Sequence, residues 1–128
     1  MTQEDKKLIF NELCARLPYH VKCKIWLKDG TIEEGLLDLQ HNYGDVLQDA
    51  FYYNKIKDIK PYLRPMSSIT EEEKEEYCQL QQKVIYNSKG VVNEDVMKYI
   101  NWCYKKHLDI NNLIPMELAI DATGLNIY

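Results

Sequence analysis

A chain of 128 residues with 45% apolar and 28% charged side chains and a net charge of −4 has the length for one ordinary core and the composition of an ordered globular protein. Wholesale disorder is excluded, and no apolar run approaches the roughly 18 residues that a membrane span requires. The run Leu8-Ile9-Phe10 after Lys6-Lys7 is far too short for a signal-peptide core, so the chain is expected to be a single domain over residues 1–128, located in the cytoplasm.

Residues 2–17 predict an amphipathic helix. Thr2 is placed to cap it, Glu4 and Asp5 suit the positive end of the helix dipole, and Ile9, Phe10, Leu13 and Leu17 share one face. Pro18 ends it. Residues 21–39, VKCKIWLKDGTIEEGLLDL, then read as a β-hairpin. Val21, Cys23, Ile25 and Leu27 alternate with Lys22, Lys24 and Trp26, the period of two that puts neighbouring side chains on opposite faces of a strand. Asp29-Gly30 supplies the turn, because Gly30 accepts the positive φ that tight hairpins need. If Leu27 pairs with Ile32, strict alternation sets Ile25 against Glu34 and Val21 against Asp38. One extra residue at Glu34-Gly35 repairs this by bringing Cys23 opposite Leu37 and Val21 opposite Leu39, so Gly35 is the expected site of a bulge that curls the sheet.

Beyond the hairpin, residues 41–45 have turn chemistry, and residues 46–48 and 51–53 have the composition of two short strands. Ile56 and Ile59, three apart, suit one tight helical turn, after which Lys60-Pro61 forces extended backbone as far as Pro65. Short strands around a kinked hairpin predict a small antiparallel β-barrel of the Src-homology-3-like type over residues 19–66. An open antiparallel sheet covered by helices is the alternative.

Ser68 with Glu71 and Thr70 with Glu73 form two overlapping capping boxes, so a helix starts here with Tyr77, Leu80 and Val84 on its buried face. Residues 67–96 hold seven acids against three bases, mainly in the run EEEKEE, while the rest of the chain balances. That run reads as a solvated helix face. A linker turn follows at residues 87–90. Asn93 then caps a second helix whose stripe of Val96, Ile100, Cys103 and His107 is widened by Met97, Tyr99, Trp102 and Tyr104, a breadth that implies burial on two sides. In the last stretch, Leu113, Ile114, Met116, Leu118 and Ile120 need cover, and Pro115 prevents one helix through them. A helical turn at 110–114 and a packed extended segment are expected. The fold class is thus α+β: an N-terminal helix, a small barrel and, over residues 67–128, two helices with a packed C-terminal segment.

Three segments carry a resemblance: RLPYHVK at 16–22, KPYLRPMSSITEEEKEEY at 60–77, and HLDINNLIPMELAIDAT at 107–123 ahead of a final Tyr128. On these, the chain resembles a group of small uncharacterised proteins encoded by gut anaerobic bacteria and their phages, whose members carry the motifs in the same order. They commonly have Gly where His20 stands, His-Phe-Asp where this chain has His107-Leu108-Asp109, and a basic residue or Gly near Met116. The resemblance covers most of the chain and implies membership without an activity, ligand or catalytic residue to transfer. Its mobile-element setting implies a small accessory or interaction protein.

Cys14, Cys23, Cys78 and Cys103 have no C-x-x-C spacing and read as reduced, mostly buried thiols; His20, His41 and His107 are equally scattered, so no metal or other cofactor is assigned. Pairs such as Asp45 with Asp49, or Asp38 with His41, occur in any loop and nothing marks them as acid and base, so no catalytic residue is assigned. The function expected is that of a non-enzymatic module binding a protein partner, with Trp26, Tyr43, Tyr52, Tyr53 and Tyr62 as the available aromatics. The alternative is nucleic-acid binding through residues 51–64, FYYNKIKDIKPYLR, where aromatics interleave with Lys55, Lys57, Lys60 and Arg64. Candidate binding residues are therefore Trp26, Tyr52, Tyr53, Lys55, Lys57, Lys60, Tyr62 and Arg64, the three lysines being read as solvent-facing. The sequence pI near 5.4 favours the protein reading.

Overall fold

Helix α1 (Gln3–Arg16) begins where its cap dictates in the computed structural model, which describes residues 2–37, 56–85 and 93–128. The Asp5 N–H donates to Thr2 Oγ1 at 3.0 Å and the Thr2 N–H donates to Asp5 Oδ2 at 3.2 Å, a closed capping box. The inward face of α1 carries Ile9 and Leu13, both fully buried, and then an ion pair. Buried Arg16 donates to Glu12 Oε1 at 2.9 and 2.7 Å and to the Leu108 carbonyl at 2.7 Å, with its guanidinium carbon 4.7 Å from the centre of the Tyr104 ring. This cluster ties α1 to the C-terminal third of the chain.

A 3-10 turn at Leu17–Tyr19, opened by Pro18, and His20 at φ +57° lead into β1 (Val21–Leu27), which pairs antiparallel with β2 (Ile32–Leu37). The register sets Val21 against Leu37, Cys23 against Gly35 and Trp26 against Ile32, so the bulge expected at Glu34-Gly35 is absent. The extra residue sits in the turn instead. The Gly30 N–H donates to the Leu27 carbonyl at 3.1 Å and the Leu27 N–H to the Thr31 carbonyl at 2.8 Å, with Gly30 at φ +92°. Such a three-residue loop shifts the pairing by one and sets Val21 opposite Leu37 with no kink in the strand.

On the other side of β1 lies β3 (Ile56–Leu63), antiparallel, with Cys23 against Pro61, Lys24 against Lys60, Ile25 against Ile59 and Trp26 against Asp58. The helical turn expected at Ile56–Ile59 is therefore strand, with Lys57 as the residue over which the register slips. Ile59, Pro61 and Leu63 are buried on one face, matching Val21, Cys23 and Ile25 on β1. Pro61 fits inside the sheet for a local reason. The Tyr62 carbonyl points toward β1 and the Leu63 carbonyl toward Ala122, so the missing N–H of Pro61 falls on the β4 side, where pairing begins one residue later.

The short β4 (Ile120–Asp121) runs parallel to Tyr62–Leu63, giving a sheet of order β2-β1-β3-β4. Among the described residues this sheet is open and does not close into the small barrel expected. The turn at 41–45, the strands at 46–48 and 51–53 and the linker at 87–90 lie outside the described residues. The core fills one face of the sheet: Ile9 and Leu13 of α1, Val21, Cys23, Ile25, Ile59 and Leu63 of the strands, and Leu113, Leu118 and Ala119 of the C-terminal segment.

Helices α2 (Glu71–Ile85) and α3 (Asn93–Lys105) pack on each other. Of the two candidate capping boxes the Thr70/Glu73 pair forms, at 3.1 and 3.2 Å, while Ser68 closes a 3-10 turn by donating to the Pro65 carbonyl. Tyr77 meets Tyr99 hydroxyl to hydroxyl at 3.0 Å, and Trp102 Nε1 donates to Glu76 at 2.8 Å. Tyr77, Leu80 and Val84 are only partly covered, because α2 has α3 as its support and buries none of its residues fully. In the C-terminal segment, turns at 110–111 and 113–117 are capped by Asp109, whose carboxylate accepts from the Leu113 and Ile114 N–H groups at 2.8 and 2.9 Å. Leu113 and Leu118 are buried as expected, but Met116 is 50% exposed. The thiols of Cys23 and Cys103 are buried, those of Cys14 and Cys78 exposed, and all four are free.

Candidate functional site

With one sheet face occupied by the core, side chains available to a partner lie on the opposite face. The alternation that turns Val21, Cys23 and Ile25 inward turns Lys22, Lys24 and Trp26 outward. The registers then assemble a patch. Lys24 stands opposite Lys60 on β3 and Glu34 on β2, and Trp26 stands opposite Asp58 and Ile32. The Lys24 and Lys60 ammonium groups lie 5.4 and 5.8 Å from the centre of the Trp26 ring, within cation–π range. Ile32 extends the apolar part, at 54% exposed.

At the other end of the patch, the Lys22 ammonium is 5.9 Å from the centre of the Tyr62 ring and 3.9 Å from Glu34 Oε2. Tyr62 is buried, and its hydroxyl donates to Glu34 Oε1 at 2.5 Å. Burial first, and then the adjoining carboxylate, push this phenol up to about 12, so it remains a protonated donor at neutral pH. The Asp58 carboxylate accepts from the Ile59 N–H at 2.9 Å. What the face offers a ligand is an indole plane between ammonium groups.

Of the residues singled out from the sequence, the structure brings together Trp26, Lys60 and Tyr62. Lys57 is exposed at the register slip beside Asp58. Arg64 does not join them. It is held by Glu73 in a two-pronged pair at 2.7 and 2.9 Å and by the Ser68 and Lys106 carbonyls, which makes it a fastener between β3 and the helices. Tyr43, Tyr52, Tyr53 and Lys55 lie outside the described residues, as do Asp38, His41, Asp45 and Asp49. Lys22, Lys24 and Glu34 belong to the patch and were not singled out, although the alternation in VKCKIWL already places both lysines on the Trp26 face.

A cavity of about 220 Å3 lies beside β4, lined by Arg64, Ser68, Thr123, Gly124, Asn126 and Tyr128, with the Arg64 guanidinium already engaged. His107 is kept neutral nearby: burial, with the positive charges of Arg16, Arg64 and His20, pushes its imidazole down to about 4. Among the described residues no three His, Cys, Asp or Glu side chains gather closely enough to hold a metal ion, and no helix is long and apolar enough to cross a membrane. The chain matches no family model, no curated protein and no solved structure.

Proposed function

We propose that the protein is a non-enzymatic binding module that docks an acidic segment of a partner protein on the outer sheet face around Trp26. One observation carries this reading: Lys24 and Lys60 oppose each other directly across the β1–β3 ladder, with both ammonium groups beside the Trp26 ring. Like charges directly opposed on a sheet cost stability. An anionic partner would offset that cost, while the indole supplies the buried aromatic anchor on which interfaces concentrate their binding energy. The resemblance to proteins of gut anaerobes and their phages fits a small accessory role in that setting.

Single-stranded nucleic acid is the second reading, favoured by the same indole set among lysines. Two features rank it lower. Tyr62, the second platform on which a base would stack, is buried and bonded to Glu34, and Arg64 is closed off by Glu73. The test is fluorescence anisotropy with a labelled Glu- and Leu-rich peptide and a labelled oligothymidine. Charge reversal by Lys24→Glu with Lys60→Glu exchanges the Lys24–Lys60 repulsion for repulsion among the two introduced carboxylates and Glu34, so the melting temperature should fall by several degrees while the fold persists at the assay temperature. Peptide affinity should nevertheless fall about tenfold or more, a loss of about 1.4 kcal/mol or more, and should also weaken with salt in the parent. Affinity for the peptide that survives the reversal removes this face from the function. Tighter binding of the oligothymidine, with the steep salt dependence of phosphate contacts, transfers it to the second reading.

A further inference from the structure

Tyr128 fills a place in the sheet that backbone normally occupies. The β1–β3 register sets Lys24 against Lys60 and Cys23 against Pro61, which makes Lys22 and Tyr62 the next opposed pair. In place of the next rung, the Lys22 N–H donates to Tyr128 Oη at 2.8 Å and Tyr128 Oη donates to the Tyr62 carbonyl at 2.7 Å. The phenol hydroxyl stands in series between a strand donor and a strand acceptor. Its ring lies flat on His107, with centroids 3.6 Å apart and planes inclined by 9°. The His107 carbonyl is itself fixed by the Arg64 N–H at 2.7 Å, so the wall of the slot is anchored to β3.

The slot therefore presents a donor, an acceptor and a planar wall. A hydroxyl on an aromatic ring satisfies all three, whereas a plain phenyl ring meets only the last. The arm that delivers the ring is thinly held. After the Ala122 N–H leaves the Leu63 carbonyl, residues 123–126 are exposed, and Gly124 at φ +79° and Asn126 at φ +54° turn the chain back toward the sheet. Nothing approaches within 4 Å of the position a side chain would take at Gly124. Past Ala122 the arm makes local turn bonds, Thr123 N–H to Asp121 and Leu125 N–H to Ala122, and half-buries Ile127, while the hydrogen bonds that tie it to the sheet run through Tyr128 Oη.

We infer that the end of the β1–β3 ladder is a phenol-binding slot, that Tyr128 is its intramolecular ligand, and that a tyrosine side chain presented by another polypeptide enters it when the arm swings out. The slot is independent of the outer-face reading. It shares the backbone of Lys22 and Tyr62 with that face, so its occupancy holds one end of the face in register.

The test uses the full chain carrying Tyr128→Ala, with p-cresol as the probe and toluene as its twin without the hydroxyl. The variant should melt below the parent, and p-cresol should raise its melting temperature saturably while toluene does so far less. The parent, whose slot is filled, should not respond. A short peptide ending in tyrosine should act like p-cresol, and the same peptide ending in phenylalanine should not. Equal effects of the two probes, or none from either, overturn the inference. Should the alanine variant not fold, Tyr128→Phe keeps the ring on His107 and removes only the hydroxyl. The Lys22 amide should then exchange its hydrogen about tenfold faster relative to the Lys24 amide than in the parent, and unchanged protection of Lys22 overturns the inference as well.

Discussion

His107 sits in a left-handed backbone conformation, φ +59°, and in surroundings that oppose its charged form. Arg16, Arg64 and His20 lie on its electrostatic horizon and the Tyr128 ring covers its plane, so a proton on the imidazole would be both poorly solvated and repelled. The folded-state pKa is thereby moved from 6.5 to about 4. Since the unfolded chain takes up the proton first, the stabilisation present above pH 6.5 is lost progressively as the pH falls from 6.5 to about 4. At about 1.4 kcal/mol per pH unit the full displacement corresponds to about 3.5 kcal/mol, which solvent screening of the partly exposed imidazole reduces to the order of 2 to 3 kcal/mol. Glu73, whose carboxylate the hydrogen bonds of Arg64 hold down to about 2, adds its own loss only below 4.5. Urea unfolding in steps from pH 7 to pH 5 should therefore show a falling midpoint in the parent. The slope should flatten in His107→Asn, because asparagine tolerates the left-handed backbone and does not titrate. An equal slope in both proteins would place the acid sensitivity elsewhere. His20 has the same backbone conformation, φ +57°, a region that glycine enters without the steric cost a side chain carries.

At the scale of elements, the β1–β2 hairpin shows how far the sequence could be read. The alternation in residues 21–27 was legible, and with it the core face and the Trp26 face, because a period of two leaves no other arrangement for VKCKIWL. Register was not legible. A bulge at Gly35 and a three-residue turn ending at Gly30 both avoid setting Val21 against a carboxylate, and only the turn hydrogen bonds decide between them. β3 was misread as a helical turn because a spacing of three between Ile56 and Ile59 is that of a helix turn, and only the register slip at Lys57 reconciles it with a strand. The open ladder of β1, which no local pattern reveals, is what draws it into the sheet. Likewise Arg64 looks like one more basic residue in its segment, and its partner Glu73 becomes visible only once the capping box has placed it. The turn assignment has a direct consequence. Gly30→Ala meets no atom within 4 Å, so its cost is purely conformational, about 1 to 2 kcal/mol for a left-handed alanine, and Gly30→Asn should cost distinctly less. Equal stability of Gly30→Ala and the parent in urea unfolding would contradict the three-residue turn.

Across the whole molecule, the C-terminal segment decides whether the sheet and α1 have a closed core at all. Leu108, Leu113, Leu118, Ala119 and Ala122 are buried, and the first of these also supplies the carbonyl that receives buried Arg16. Removing everything after His107 takes the cover from Val21, Ile59 and Leu63, deletes β4 and leaves the Arg16 guanidinium short of an acceptor. Each large side chain lost is worth about 1.5 to 3 kcal/mol of burial, so three leucines alone match a large share of the roughly 5 to 15 kcal/mol by which a domain is stable. A chain ending at His107 should accordingly show no cooperative thermal transition and should expose apolar surface to a reporter dye. A chain ending at Ile127 retains all of those leucines and loses only the Tyr128 rung, and it should still melt cooperatively at a lower temperature than the parent. If the chain ending at His107 melts cooperatively at the parent temperature, the segment is a detachable arm, and the core contacts that join it to α1 and the sheet contribute nothing to stability.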